Sequence, residues 1–275
     1  MVTKPDLTTQ EERKIALIPG AEPSARIDPW WWLVVLAVAL AAILIFTQRE
    51  YNSIFRFILP GLRITAVVTI VSYFLMLIFG MIGGLGRLSK NFIFHGLSSL
   101  YVEIVRGVPL LVQLIMWYYL FPSLVQTLGD RTGIEVLSSY RSDPIVTAII
   151  GFTFCYGAYM SEIFRAGIQS IPKGQMEAAR SLGMNYIQAM RHIILPQAIR
   201  VMLPPVGNEF VSLLKDSSLV SVVAVADMTR RGQEYMSVHF NPIPVWLFIA
   251  LMYLIMTLFS SRVVSWLEKR TRFER

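Results

Sequence analysis

The segment EAARSLGMNYIQAMRHIILP, Glu177 to Pro196, is a polar island between two strongly apolar stretches. Pro172, just ahead of it, suits the first turn of a helix, where its missing N–H costs nothing. Gln175 to Leu182 is built mostly from good helix formers. Gly183 can take the left-handed conformation that ends a helix, and Asn185 with Gln188 has the spacing of a capping box. The segment therefore predicts two short helices joined at Gly183. Ala178 and Ala179 carry almost no side chain, so another protein's surface can approach their backbone closely. Glu177 and Arg180 sit three apart on one face, placed to pair with each other or with a partner.

The flanks set the surroundings of this island. Of 275 residues, 55% are hydrophobic and 16% are charged, against about a quarter charged in a soluble domain. With a mean hydropathy of +0.55, the chain reads as an all-α polytopic membrane protein whose broad partner is lipid. The net charge of +7 is assigned to loops on the cytosolic side rather than to nucleic-acid binding. Cys155, the single cysteine, sits in an apolar segment and is read as a packed residue. His95, His192 and His239 are scattered without metal spacing. The run Gly83-Gly84-Leu85-Gly86 lacks the Lys-Ser/Thr of a phosphate-binding loop. No nucleophile or paired-carboxylate pattern marks the chain as an enzyme.

Six spans are expected. Residues 1–29 read as a polar cytosolic tail and 30–275 as the membrane domain. Trp30 to Phe46 is the first span, anchored by Trp30, Trp31 and Trp32 at headgroup level. A polar connection, Gln48 to Arg56, leads to the second span, Ile64 to Leu85, where Gly80 and Gly84 form a close-packing pair. Phe92 to Arg106 is amphipathic and is expected to lie partly along the membrane surface. Val108 to Val125 is the third span, interrupted by Pro109 and Pro122, and Gln126 to Asp143 is a polar loop. Pro144 to Met160 is the fourth. Residues 166–192 form the polar loop described above. The fifth, Ile193 to Leu214, contains Pro196, Arg200, Pro204, Pro205, Asn208 and Glu209 and is expected to be broken and to face protein or water. Ile243 to Val264 is the sixth.

Charge orients these spans. With both ends in the cytosol, about 17 Lys and Arg fall on that side, and about seven (Arg49, Arg56, Arg63, Arg131, Arg141, Arg230, Arg231) on the other. This places Glu177 to Pro196 in the cytosol independently of any motif.

Three patterns then point to one family. Glu177-Ala178-Ala179, three residues, Gly183, nine residues, Ile193, one residue, Leu195-Pro196 resembles the EAA signature of ABC-importer permease subunits. Arg106-Gly107-Val108-Pro109-Leu110-Leu111-Val112-Gln113 is similar to the RGTPLLVQ stretch of polar-amino-acid ABC permeases, with Val108 in place of Thr. Lys215-Asp216-Ser217-Ser218-Leu219 is similar to an element that follows the fifth helix in that family. The resemblance covers Leu62 to the C-terminus, so the first span and tail look like additions to a five-helix core. It implies coupling to two ABC ATPase subunits through Glu177, Ala178, Ala179, Arg180 and Gly183. A second permease subunit, identical or related, is implied too, with an extracytoplasmic amino-acid-binding protein and the bacterial cytoplasmic membrane. ATP and Mg would be held by the ATPase and no cofactor by this chain. The cargo would be a polar amino acid, of the glutamate, glutamine or aspartate type or basic.

Charges within apolar segments cost at least about 2.5–3.5 kcal/mol each, so they face a bundle interior or a pathway. The candidates for a substrate pathway are Glu162, Asn208, Glu209, Lys215, Asp216, Ser217 and Ser218, with Gln113 a further one. A carboxylate such as Glu162 or Asp216 would hold the ammonium of a zwitterion. A cation, or the free N–H groups of a broken helix, would hold its carboxylate. The alternative is local: Lys215 with Asp216 and Glu162 with Arg165 as internal pairs. Two other classes stay open, a secondary amino-acid transporter and a membrane scaffold or sensor that docks a cytosolic partner.

Overall fold

The computed structural model describes residues 30–271; the polar tail read from the sequence lies outside them. The described residues form helices and no strands. In order these are α1 (Trp31–Thr47), α2 (Arg49–Leu88), α3 (Phe92–Gly107), α4 (Leu110–Thr132), α5 (Glu135–Ser138), α6 (Pro144–Gln169), α7 (Lys173–Ser181), α8 (Tyr186–Ala189), α9 (Leu195–Asp216), a 3-10 segment (Ser217–Val223), α10 (Met228–His239) and α11 (Pro242–Thr271).

The long helix α2 organises the bundle. At 40 residues it extends about 60 Å, and two cores are strung along it. Its first half places Ile54 and Ile58 against Met228, Tyr235, Val245 and Phe248 of α10 and α11. From its middle onward it places Val68 and Met76 with Leu114, Phe152, Met160 and Leu213. The expected polar connection over Gln48 to Arg56 is thus overturned: only Gln48 leaves the helical conformation. Tyr51, Ile54, Phe55 and Ile58 keep a helical spacing and pack on α11, and this buried stripe outweighs the polar residues between them.

Glycines bring α2 against α6. A Cβ on Gly80 would lie 2.5 Å from the Met160 Cβ, and one on Gly84 would lie 2.9 Å from the Ser161 carbonyl oxygen. The close-packing pair is therefore real and its partner is α6. Helix α3, capped by the Asn91 side chain, leans on both: the Tyr101 hydroxyl donates to the Phe154 carbonyl across 2.6 Å. Its outer face exposes Phe92, Phe94 and Leu97.

Prolines do not break these helices. The turns Met116–Leu120 and Met190–Ile194 are π-helical, and Pro122 and Pro196 each stand two residues past the end of one. A wide turn absorbs the missing N–H of a proline by shifting the hydrogen-bond register. The interruption expected in the third span is therefore a bulge, and α4 runs on to Thr132, into the stretch read as a loop. Likewise α9 is continuous through Pro204 and Pro205, against the expectation of a broken helix. The N–H groups missing at Pro204 and Pro205 are those that would face the carbonyls of Arg200 and Val201, on the exposed side of α9.

Four helices, α2, α4, α6 and α11, are long and apolar enough to cross a membrane. Helix α1 is apolar but has 17 residues, and α9 carries charge in its middle. The outer surface is lipid-like, with Phe46 86% and Phe92 88% exposed.

Candidate functional site

Three groups of residues stand apart from the apolar packing. The first is the turn between α6 and α9. Helix α7 ends at Ser181 with Leu182 as its C-cap, and Gly183 adopts φ +84°, donating its N–H to the Arg180 carbonyl at 3.0 Å. Asn185 and Gln188 form the capping box that their spacing predicts, with both bonds at 2.9 Å. Glu177, Ala178 and Arg180 are exposed, but Ala179 is buried, because that face of α7 packs on the π turn before α9. Only one of the two alanines is therefore open to a partner. The sequence reading missed the apolar face of this turn: Leu182, Tyr186 and Ile187 are exposed at 81%, 59% and 74%. Their signal was an apolar residue on either side of a capped glycine turn. Glu177 and Arg180 form no ion pair with each other.

The second group joins α2, α3 and α6. Arg87 donates to Glu162 at 2.6 Å and lies 3.5 Å from Glu103. Glu162 also accepts from the Arg165 guanidinium one turn along α6. Both carboxylate oxygens of Glu162 are thus engaged by arginines. Of the two readings of Glu162, the internal pair is the one the geometry contains, enlarged by Arg87.

The third group lies between α6, α9 and the end of α3. The Tyr156 hydroxyl donates to the Asp216 carboxylate at 2.6 Å. One turn further along α6, the Arg106 guanidinium carbon stands 5.2 Å from the Tyr159 ring centroid. Glu209 is half-buried, seven residues before Asp216 on the same face of α9. Asn208 and Lys215 are exposed. Asp216 is bonded to Tyr156 and no ion pair with Lys215 forms. Ser217 and Ser218 donate to the Leu214 and Lys215 carbonyls of their own turn. Gln113 belongs elsewhere: its amide donates to the Val105 and Val108 carbonyls at 2.7 and 2.8 Å, clamping α3 to α4. Sequence reasoning did not single out Tyr156, Tyr159 or Arg106 as site residues; the signal for the tyrosines was the polar line Tyr156, Tyr159, Glu162 at intervals of three, and for Arg106 its place at the head of the Arg106–Gln113 motif.

A groove of about 450 Å³ between α2, α9 and α11, lined by Tyr73, Phe74, Leu203 and Phe210 among others, contains no charged residue. It has nothing to neutralise a zwitterion, whereas the third group carries charges of both signs.

A helical chain with an apolar outer face and charge gathered inside its bundle is a polytopic membrane protein. More narrowly, the chain belongs to the family described as binding-protein-dependent transport system inner membrane component, whose model matches residues 76–273. The L-cystine transport system permease protein TcyB of Bacillus subtilis is 39% identical over 211 residues, 76% of this chain and 84% of that protein. The glutamine transport system permease protein GlnP of Escherichia coli is 33% identical over 215 residues, 78% of this chain and 93% of that protein. A crystal structure of an amino acid ABC transporter with histidines superposes with a TM-score of 0.70 at 34% identity, covering 82% of this chain and 97% of that one. The family resemblance carried by the three motifs is thereby borne out.

Proposed function

We propose that this chain is the membrane-spanning subunit of an ATP-driven importer of polar amino acids. A separate ABC ATPase pair binds ATP and Mg and grips the α7–α8 turn from the cytosol. A second permease subunit, identical or related, completes the passage, and an extracytoplasmic binding protein delivers the cargo. Both chain ends lie in the cytosol, as the distribution of Lys and Arg supports.

The observation that carries this reading is the apolar face of Leu182, Tyr186 and Ile187 on a turn held rigid by its caps. Apolar anchors ringed by polar residues, here Glu177, Arg180 and Gln188, are the makeup of a protein interface. The turn leads at one end into α6 and at the other into α9, so a push on it moves both walls of the Tyr156–Asp216 region. The passage then opens to one side or the other, and ATP supplies the difference in free energy through the partner. Relatives named for amino-acid transport, including glutamine and L-cystine permeases, support the cargo class.

The test is reconstitution with the cognate ATPase and binding protein. ATP-dependent amino-acid uptake is expected, and Leu182→Asp/Ile187→Asp is expected to lose the ATPase on purification while inserting normally. Uptake driven by an ion gradient without an ATPase would establish a secondary transporter instead; an ATPase complex that moves no solute would leave the scaffold reading.

A further inference from the structure

We infer that the Arg106–Tyr159–Asp216–Glu209 site selects amino acids whose side chain is itself cationic. This rests on the importer reading above. Glu209 and Asp216 are seven residues apart on α9, so they share a face and stand about 10 Å apart along its axis. Arg106 is the cation seated against α6 at this level, over the Tyr159 ring, one turn from the Tyr156 that holds Asp216. Lys215 is exposed and makes no ion pair with Asp216.

The nearby ion-pair cluster adds no net charge. Glu103 and Glu162 are matched by Arg87 and Arg165. What remains is two carboxylates against one guanidinium. An amino-acid backbone brings one ammonium and one carboxylate and leaves that imbalance untouched. A neutral side chain therefore leaves one negative charge unpaired inside the bundle, and an acidic one leaves two. A cationic side chain closes the balance, and an unpaired charge in such a place is costly.

The shape agrees with the count. Arg106 lies beside Tyr159, one turn along α6 from Tyr156, and Tyr156 holds Asp216. The guanidinium that would take the cargo carboxylate thus lies at a depth between the two acids. An arginine or lysine stem of three or four methylenes separates its two cationic ends enough to reach toward both. The exposed Tyr159 ring, beside Arg106, offers an aromatic face to a cation.

The test is equilibrium binding of radiolabelled arginine, glutamine and glutamate to the complete permease–ATPase complex, without the binding protein, whose own preference would mask the site. Arginine is expected to bind at least about tenfold tighter than glutamine, with glutamate weakest. Glu209→Gln should bring the arginine-to-glutamine ratio close to one. Equal binding of arginine and glutamine, tighter binding of glutamate, or no binding of arginine overturns the inference, and the unmodified complex decides if the variant does not assemble. ATP-driven uptake of the same three with the binding protein separates the two levels. Uptake confined to glutamine or glutamate keeps the importer and removes the cationic selectivity; no ATP-driven uptake removes the importer itself.

Discussion

Tyr156 and Asp216 are joined by a 2.6 Å hydrogen bond that ties the middle of α6 to the last turn of α9. The phenol is buried and its acceptor is a carboxylate, so the bond belongs to the stronger class, worth about 1.5–3 kcal/mol. Tyr156→Phe keeps the ring and removes the donor. Thermal unfolding of the purified protein is expected at lower temperature by the equivalent of about 1.5 kcal/mol. An unchanged melting temperature would mean that the bond is not formed in the membrane protein.

Glu162 ties α6 to α2, receiving Arg87 from α2 and Arg165 from its own helix, while Arg87 also reaches Glu103 of α3. Glu162→Gln leaves Arg165 without its carboxylate and Arg87 with only the exposed Glu103, at 3.5 Å. The group is partly open to solvent, so the cost lies between those of a surface and a buried pair, about 1–3 kcal/mol. Substrate preference is expected to stay as it was, because both oxygens are already engaged. A change in the arginine-to-glutamine uptake ratio would return Glu162 to the pathway.

Gly84 and Gly96 make a matched pair of opposite sign. A Cβ on Gly84 meets the Ser161 carbonyl at 2.9 Å and the Phe164 Cβ at 3.0 Å; a Cβ on Gly96 meets nothing within 4 Å. Gly84→Ala is expected to destabilise by about 1–3 kcal/mol through overpacking. Gly96→Ala, in the interior of α3, is expected to stabilise by up to about 1 kcal/mol. Melting curves of the two variants moving in the same direction would contradict the packing of α2 on α6.

Gly183 sits at φ +84° with open space around it. Gly183→Ala is therefore a test of backbone conformation alone and should cost about 1–2 kcal/mol in the turn. Gly183→Pro removes the N–H bonded to Arg180 and forces a negative φ. Uptake is expected to be abolished for Gly183→Pro and reduced for Gly183→Ala, with both proteins present in the membrane by blot. Normal uptake by Gly183→Pro would rule out a force-bearing role for the turn.

Much of this was legible in the chain itself. The apolar runs, the Gly80/Gly84 pair, the glycine turn and the Asn185 cap depend on neighbours a few residues away, and local chemistry decides them. The same holds for the family, because its motifs are short and contiguous. The proline-rich helix was misjudged for a related reason: local chemistry marks where an N–H is missing, and only the surrounding bundle decides whether a helix runs on past it.

Tertiary structure alone decided the partners. Arg87 and Glu162 are 75 residues apart, and Tyr156 and Asp216 are 60 apart; no periodicity links such positions. Whether Glu162 faced a cargo or an arginine, and whether Gln113 lined a passage or clamped a helix end, depended on which helices packed together. A charge inside an apolar segment must be balanced, and the sequence states that demand. The fold chooses which opposite charge answers it, because electrostatic pairing acts through space and not along the chain.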